Sequence, residues 1–228
     1  MDKNFKVRLG CTIGMFAIAI VGLYTFDSIP FKIIYGLFAL VAGIELLSFF
    51  KHGFSIPRGI LALIEIVFLV CSTIFVAKID INHFWLVILG VPGYDIFAYV
   101  FGKIFGGKIF KKSRPFPRIS KNKTWEGTIL GLAFSIGAVS IALSLFGFRE
   151  YYYLLCGPLA LIGDLFESAM KRQFKIKDSN EIVIKNKFFH FLELLVGGSR
   201  GHGGYLDRID SSAFTMTILL LIRFLSAK

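Results

Sequence analysis

Seven stretches of this chain, 9–26, 29–50, 59–77, 82–102, 127–147, 151–170 and 211–226, are apolar over nearly their whole length. At about 1.5 Å per helical residue, each suits a hydrocarbon core of roughly 30 Å. Backbone groups in that solvent must be satisfied within the segment, so such stretches dictate helices. The expected fold is all-α, a polytopic integral membrane protein of about seven transmembrane helices. Composition agrees: 55% of the residues are hydrophobic, 26 are Phe, and the mean hydropathy is +0.70. One run departs from the pattern. Phe188 to Val196 (FFHFLELLV) is too short to span and follows Lys185 and Lys187, so it reads as a short interfacial or re-entrant helix. No internal repeat or low-complexity linker divides the chain. Residues 1–228 therefore read as a single domain, with N-terminal spans in 1–80 and the catalytic part in 81–228.

Charge sets the orientation. The start of the chain (Lys3, Lys6, Arg8), the 51–58 turn, the 103–126 loop and the 171–210 segment hold three, two, eight and eight of the 26 basic residues. With seven spans these fall on one side, which the positive-inside bias makes cytoplasmic. The expectation is a multi-pass protein of the cell inner membrane, N-terminus inside and C-terminus outside. The apolar run behind MDKNFKVRLG shows no small-residue cleavage site and reads as a retained first span. The net charge of +11 does not point to nucleic acid, because the basic residues follow topology rather than a stripe interleaved with stacking aromatics. They suit anionic headgroups and phosphate-bearing substrates. Cys11, Cys71 and Cys156 lie in apolar segments without C-x-x-C or Cys/His spacing, so no disulfide or zinc site is expected.

Ionisable groups at bilayer depth are expensive, and four segments carry them. The fourth span contains Pro92, Gly93 and Asp95. Asp95 reads as a metal or substrate ligand, or as a carboxylate reaching the headgroups or paired with a loop lysine. The loop ending R-I-S-K-N-K-T-W-E-G (118–127) places Ser120, Lys123 and Thr124 before a helix N-terminus, a combination that suits phosphate oxygens. Lys103, Lys108, Lys111 and Lys112 read as topological anchors. In G-D-L-F-E-S-A-M-K-R, residues Asp164, Glu167, Ser168 and Lys171 stand at i, i+3, i+4 and i+7, on one helix face. An internal Glu167–Lys171 ion pair would explain Glu167 but leave Asp164 uncompensated. Last comes G-H-G-G-Y-L-D-R-I-D (201–210), with Asp207 and Asp210 at i and i+3. Together with Asp164 these offer the hard oxygen ligands that Mg²⁺ prefers, with substrate phosphates completing its shell. His202 is open between base, phosphate donor and structural residue, and His190 reads as packed or interfacial.

S-A-M-K-R-Q-F-K-I-K-D (168–178) followed by G-H-G-G-Y-L-D-R-I-D resembles the signature of phosphatidate cytidylyltransferases, the CDP-diacylglycerol synthases. G-D-L-F-E-S, the S-K-N-K-T-W-E-G loop and D-I-F-A-Y in the fourth span add to it, over roughly residues 85 to 215. The resemblance implies an enzyme that converts CTP and phosphatidic acid to CDP-diacylglycerol and pyrophosphate with Mg²⁺, its site facing the cytoplasm. On matching positions it implies Asp164 and Asp207 as metal ligands. Lys171, Arg172, Lys177, Arg208, Ser120, Lys123 and Thr124 would bind phosphates, with Asp95 and Asp210 completing the polar cavity. Glu167, Ser168, Asp178 and His202 belong to the same substrate-binding set, and a homodimer is an expected assembly. Two departures stand out. The family loop reads S-P-K-K-T, where this chain has Lys121 and Asn122 in the middle. The family's P-G-H-G-G follows K-D closely, whereas here His202 lies 24 residues after Asp178 and Arg200 replaces the proline. The extra segment, around 184–200, reads as an insertion lying on the membrane at the site entrance. A CTP-using lipid-alcohol kinase would share the basic loops and intramembrane carboxylates, but not the paired K-R…K-D and H-G-G…D-R-I-D. A transporter would show paired halves with matching broken helices.

Overall fold

The computed structural model describes residues 29–111, 114–120, 122–176 and 206–226. Six long helices carry them: α1 (Ile29–Ser48), α2 (Ile56–Lys78), α3 (Ile81–Phe105), α4 (Trp125–Phe146), α5 (Cys156–Gln173) and α6 (Leu206–Ser226). Short 3-10 turns, Phe49–His52 and Tyr151–Leu155, follow α1 and precede α5. The six spans expected from 29 onward are all helical, with ends displaced by a few residues. All six helices are long and apolar enough to cross a membrane. Their outward faces bear exposed Leu37, Leu40, Leu63, Val67, Ile129, Ile136 and Ile141, which water would not tolerate together and lipid would. The first expected span, 9–26, and the 188–196 run lie outside the described residues.

Small residues decide the closest packing. α3 lies along α4, and a Cβ added at Gly131 would come within 2.8 Å of the Ala98 Cβ, while one at Gly127 would meet the Ala98 carbonyl. Backbones approach this closely only where glycine removes the side chain, the usual membrane solution where helix association lacks a hydrophobic drive. α6 sits between α5 and α2, with α1 packed on α2. Pro92 interrupts the hydrogen bonding of α3, and near it the Ser135 hydroxyl of α4 donates to the Gly90 carbonyl at 2.8 Å. Polar side chains also tie helix ends. Lys32 donates to the Ala77 carbonyl (3.2 Å), and Arg58 Nε donates to the Gln173 carbonyl (3.0 Å) with its guanidinium over the Phe174 ring.

Two apolar clusters fill most of the interior. One joins Phe75, Val87, Val91, Val139, Tyr153 and Leu219 towards the Asp80 end of the bundle. The other joins Ala42, Leu46, Phe49, Leu69, Phe174 and Ala213 on the α1–α2 side of the other end. The remaining quarter, between the C-terminal half of α3, the start of α4, the end of α5 and the start of α6, is polar.

Candidate active site

The loop from Gly106 to Thr124 closes this quarter. Thr124 N-caps α4: its side-chain oxygen accepts from the Gly127 N–H at 3.1 Å, satisfying one of the four amides a helix start leaves open. The cap fixes Lys123 immediately before it, pointing to the bundle interior. There a cavity of about 480 Å³ is lined by Tyr94, Asp95, Lys103, Arg114, Ser120, Asn122, Lys123, Thr124 and Asp164, among others. Asp95, Ser120, Lys123, Thr124 and Asp164, from three separate segments of sequence, thus share one cavity. Lys103, read as a topological anchor, lines it too, as do Arg114 and Asn122.

Lys123 forms an ion pair with Asp164, and its ammonium lies 5.5 Å from the centre of the Tyr94 ring. Burial is the largest single influence and works against its charge, but Asp164, Tyr94 and Asp95 together outweigh it and hold the Lys123 pKa above the ordinary lysine value. The Ser211 hydroxyl of α6 approaches Asp95 at 3.4 Å. Lys171 is bracketed by two carboxylates, Glu167 Oε2 at 2.7 Å and Asp207 Oδ1 at 2.8 Å. The one-face spacing expected for α5 therefore holds, and the internal Glu167–Lys171 pair exists as well. Asp164 is compensated from the α4 loop instead.

Register across α5 and α6 determines which acids meet. At Gly163 a Cβ would come within 2.9 Å of the Ser211 Cα, so the two antiparallel helices touch at that level. Asp164 consequently stands level with Asp210 and Glu167, one turn on, level with Asp207, while the long Lys171 side chain from the next turn reaches back to both Glu167 and Asp207. Oxygens of Asp164, Glu167 and Asp210 all lie within 4.8 Å of one another. This set differs from the pair the resemblance implies: Asp164 is common to both, while Asp207 is engaged by Lys171. Among the described residues Glu167 Oε1 is buried without a hydrogen-bond donor. Among the described residues, Asp95, Asp164, Glu167, Asp207 and Asp210 stand against the ammoniums of Lys123 and Lys171. Three convergent carboxylates with a spare oxygen fit a hard divalent ion.

Two further carboxylates come from the first helices. Glu45 of α1 accepts the Leu206 N–H at 2.9 Å, holding the first turn of α6 just before Asp207. Glu65 of α2, only 1% exposed, lies close enough to Asp210 for their charges to act on one another. Sequence reasoning passed over both, although a glutamate inside an apolar window is itself the signal. Ser168 is half-buried on α5, and Arg172 donates to the Ile176 carbonyl at 3.3 Å, at the end of its own helix. Lys177, Asp178 and His202 lie outside the described residues, as does the Arg208 side chain.

Comparison with known proteins shows the family. The profile of the cytidylyltransferase family matches residues 59–184. A phosphatidate cytidylyltransferase of Rickettsia felis is 31% identical over 91% of this chain and 89% of its own. Its counterpart in Rickettsia conorii is 34% identical over 74% of this chain and 70% of its own, and that of Aquifex aeolicus is 33% identical over 78% and 58%. No solved structure matches. With a family profile over more than half its length and relatives similar over most of it, the chain belongs to the cytidylyltransferase family.

Proposed function

We propose that this chain transfers the cytidylyl group of CTP to phosphatidic acid, giving CDP-diacylglycerol and pyrophosphate for phospholipid synthesis. The observation that carries this reading is the single cavity shared by Asp95, Ser120, Lys123, Thr124 and Asp164, with phosphatidate cytidylyltransferases as relatives. An oxygen of the lipid phosphate attacks the α-phosphorus of CTP. The bond from that phosphorus to the α–β bridging oxygen breaks, and pyrophosphate leaves with that oxygen and its electron pair. The attacking phosphate is already ionised near neutral pH, so no strong base is required, and positioning and charge stabilisation dominate.

Lys123 and Arg114, with the Ser120 hydroxyl and Asn122 amide, supply donors along the wall where triphosphate oxygens would lie. Asp164 holds the Lys123 ammonium in place. Lys171 fixes Glu167 and Asp207 between α5 and α6. Mg²⁺ would be held by Asp164, Glu167 and Asp210, with Asp207 beside them, and would neutralise charge on the phosphate oxygens. Seven spans, a cytoplasmic site and an inner-membrane location complete the reading, supported by the distribution of Lys and Arg.

The test is purified protein with cytidine-labelled CTP, phosphatidic acid and Mg²⁺. Label entering a chloroform-soluble product is the expected result. Transfer of only a γ-phosphate label would identify a kinase, and no incorporation by folded protein would overturn the reading.

A further inference from the structure

The loop joining α3 to α4 forms a wall of the cavity, and something must hold it there. Glu126, 2% exposed in the first turn of α4, turns back beneath the loop. Its Oε1 accepts the N–H groups of Gly107 (2.9 Å), Ile109 (3.0 Å) and Phe110 (3.1 Å). Three amides of one turn converge on this oxygen and make an anion-binding concavity occupied by a side chain of the same protein, while the Lys108 N–H between them donates to the Phe105 carbonyl. Bonds to a charged acceptor are the stronger kind, and three on one oxygen fix the turn. Further along, the Arg114 guanidinium donates to the Asn122 carbonyl at 3.4 Å, closing the loop a second time. Glu126 does not itself line the cavity. It lies between two parts of the wall, Lys103 and Gly106 at the end of α3, and Lys123 and Thr124 at the start of α4.

We propose that Glu126 is a positioning residue for the nucleotide. By pinning residues 107–110 to the first turn of α4, it sets the width of the basic wall that receives the triphosphate. The inference rests on the cytidylyltransferase reading of the cavity. It concerns CTP rather than the lipid, because the loop that Glu126 holds carries the donors suited to a polyphosphate. Glu126→Ala removes the acceptor, whereas Glu126→Gln keeps a carbonyl oxygen at the same place and restores most of the bonding.

The experiment measures CTP binding calorimetrically, without turnover, for wild type, Glu126→Ala and Glu126→Gln in detergent, together with amide hydrogen exchange over 107–110 and the KM for phosphatidic acid. Glu126→Ala is expected to weaken CTP binding by about 10-fold or more, as displaced binding groups commonly do. Exchange at Gly107, Ile109 and Phe110 should quicken, Glu126→Gln should recover most of the affinity, and the lipid KM should stay within about 2-fold. Wild-type affinity in Glu126→Ala despite faster exchange would overturn the proposal. So would equal losses for CTP and lipid alongside a lower melting temperature, which would mean that Glu126 serves the fold alone. Absence of CTP binding by the wild type would instead overturn the reading of the cavity, and this proposal with it.

Discussion

The two ends of α3 hold polar clusters built on opposite principles. At its start, Asp80 caps the helix, accepting from the His83 N–H at 3.0 Å and meeting the His83 ring at 2.9 Å. That ring stacks on Phe148 and stands 3.9 Å from Glu150. The Asp80 and Glu150 side chains are 54% and 40% exposed, so water shares their charge and no ligand is needed. At the other end of α3, among the described residues, carboxylates from α3, α5 and α6 are packed around two ammoniums, with an oxygen of Glu167 left over. Charge that a fold can satisfy by itself is structural. Charge gathered from distant segments around one cavity suits a bound ligand.

The sharpest way to break this contrast is at Asp164. Asp164→Asn should lower kcat/KM by about 10³-fold while the protein still inserts and keeps its helicity, since it removes charge from the site without changing its shape. Asp207→Asn should cause a comparable loss. Substantial residual turnover in both would place the cluster with the structural charges. Next comes Lys171→Met, which leaves Glu167 and Asp207 buried without their cation. Removing one member of a buried pair typically costs about 3–5 kcal/mol, so the melting temperature should fall, and adding Glu167→Gln should restore part of it. Glu45→Ala strips the acceptor from the Leu206 N–H and should cost about 1–2 kcal/mol with a modest loss of activity, read from denaturation and initial rates.

The smallest effect belongs at the other end. Slight burial opposes the Asp80 charge, but the His83 N–H and ring hold its carboxyl below the ordinary aspartate value. Its contribution is therefore complete above the unfolded pKa of about 3.9 and disappears as pH falls through the lower folded value. Asp80→Asn should leave activity unchanged and lower the melting temperature slightly between pH 5 and 8, the gap closing only in acid. Lost activity in this variant would erase the distinction between the ends.

Much of this was legible in the sequence because it depends on local rules. The six described spans follow from apolar length, and Lys123 and Thr124 from a basic residue and a cap before a helix. Asp164, Glu167 and Lys171 follow from helical spacing. What was not legible depends on register between distant segments. That Asp210 rather than Asp207 stands level with Asp164 depends on Gly163 meeting Ser211, a contact no spacing rule predicts. Lys103 resembled every other loop lysine, and only the return of the 106–124 loop gives it a place on the wall. Glu45 and Glu65 are a different lesson. A carboxylate inside an apolar window announces itself, but only the packing of α1 and α2 on α6 shows what each one serves.

Along α3 the cavity is lined from Gly106 back to Tyr94, about 18 Å of helix at 1.5 Å per residue. Its floor at Asp95 is therefore well removed from the loop end at Gly106, and the positive side chains of Lys103, Arg114 and Lys123 line the cavity between the two. A cavity this deep favours a ligand that carries its charge some way along its length over a compact anion, which the loop end alone could hold.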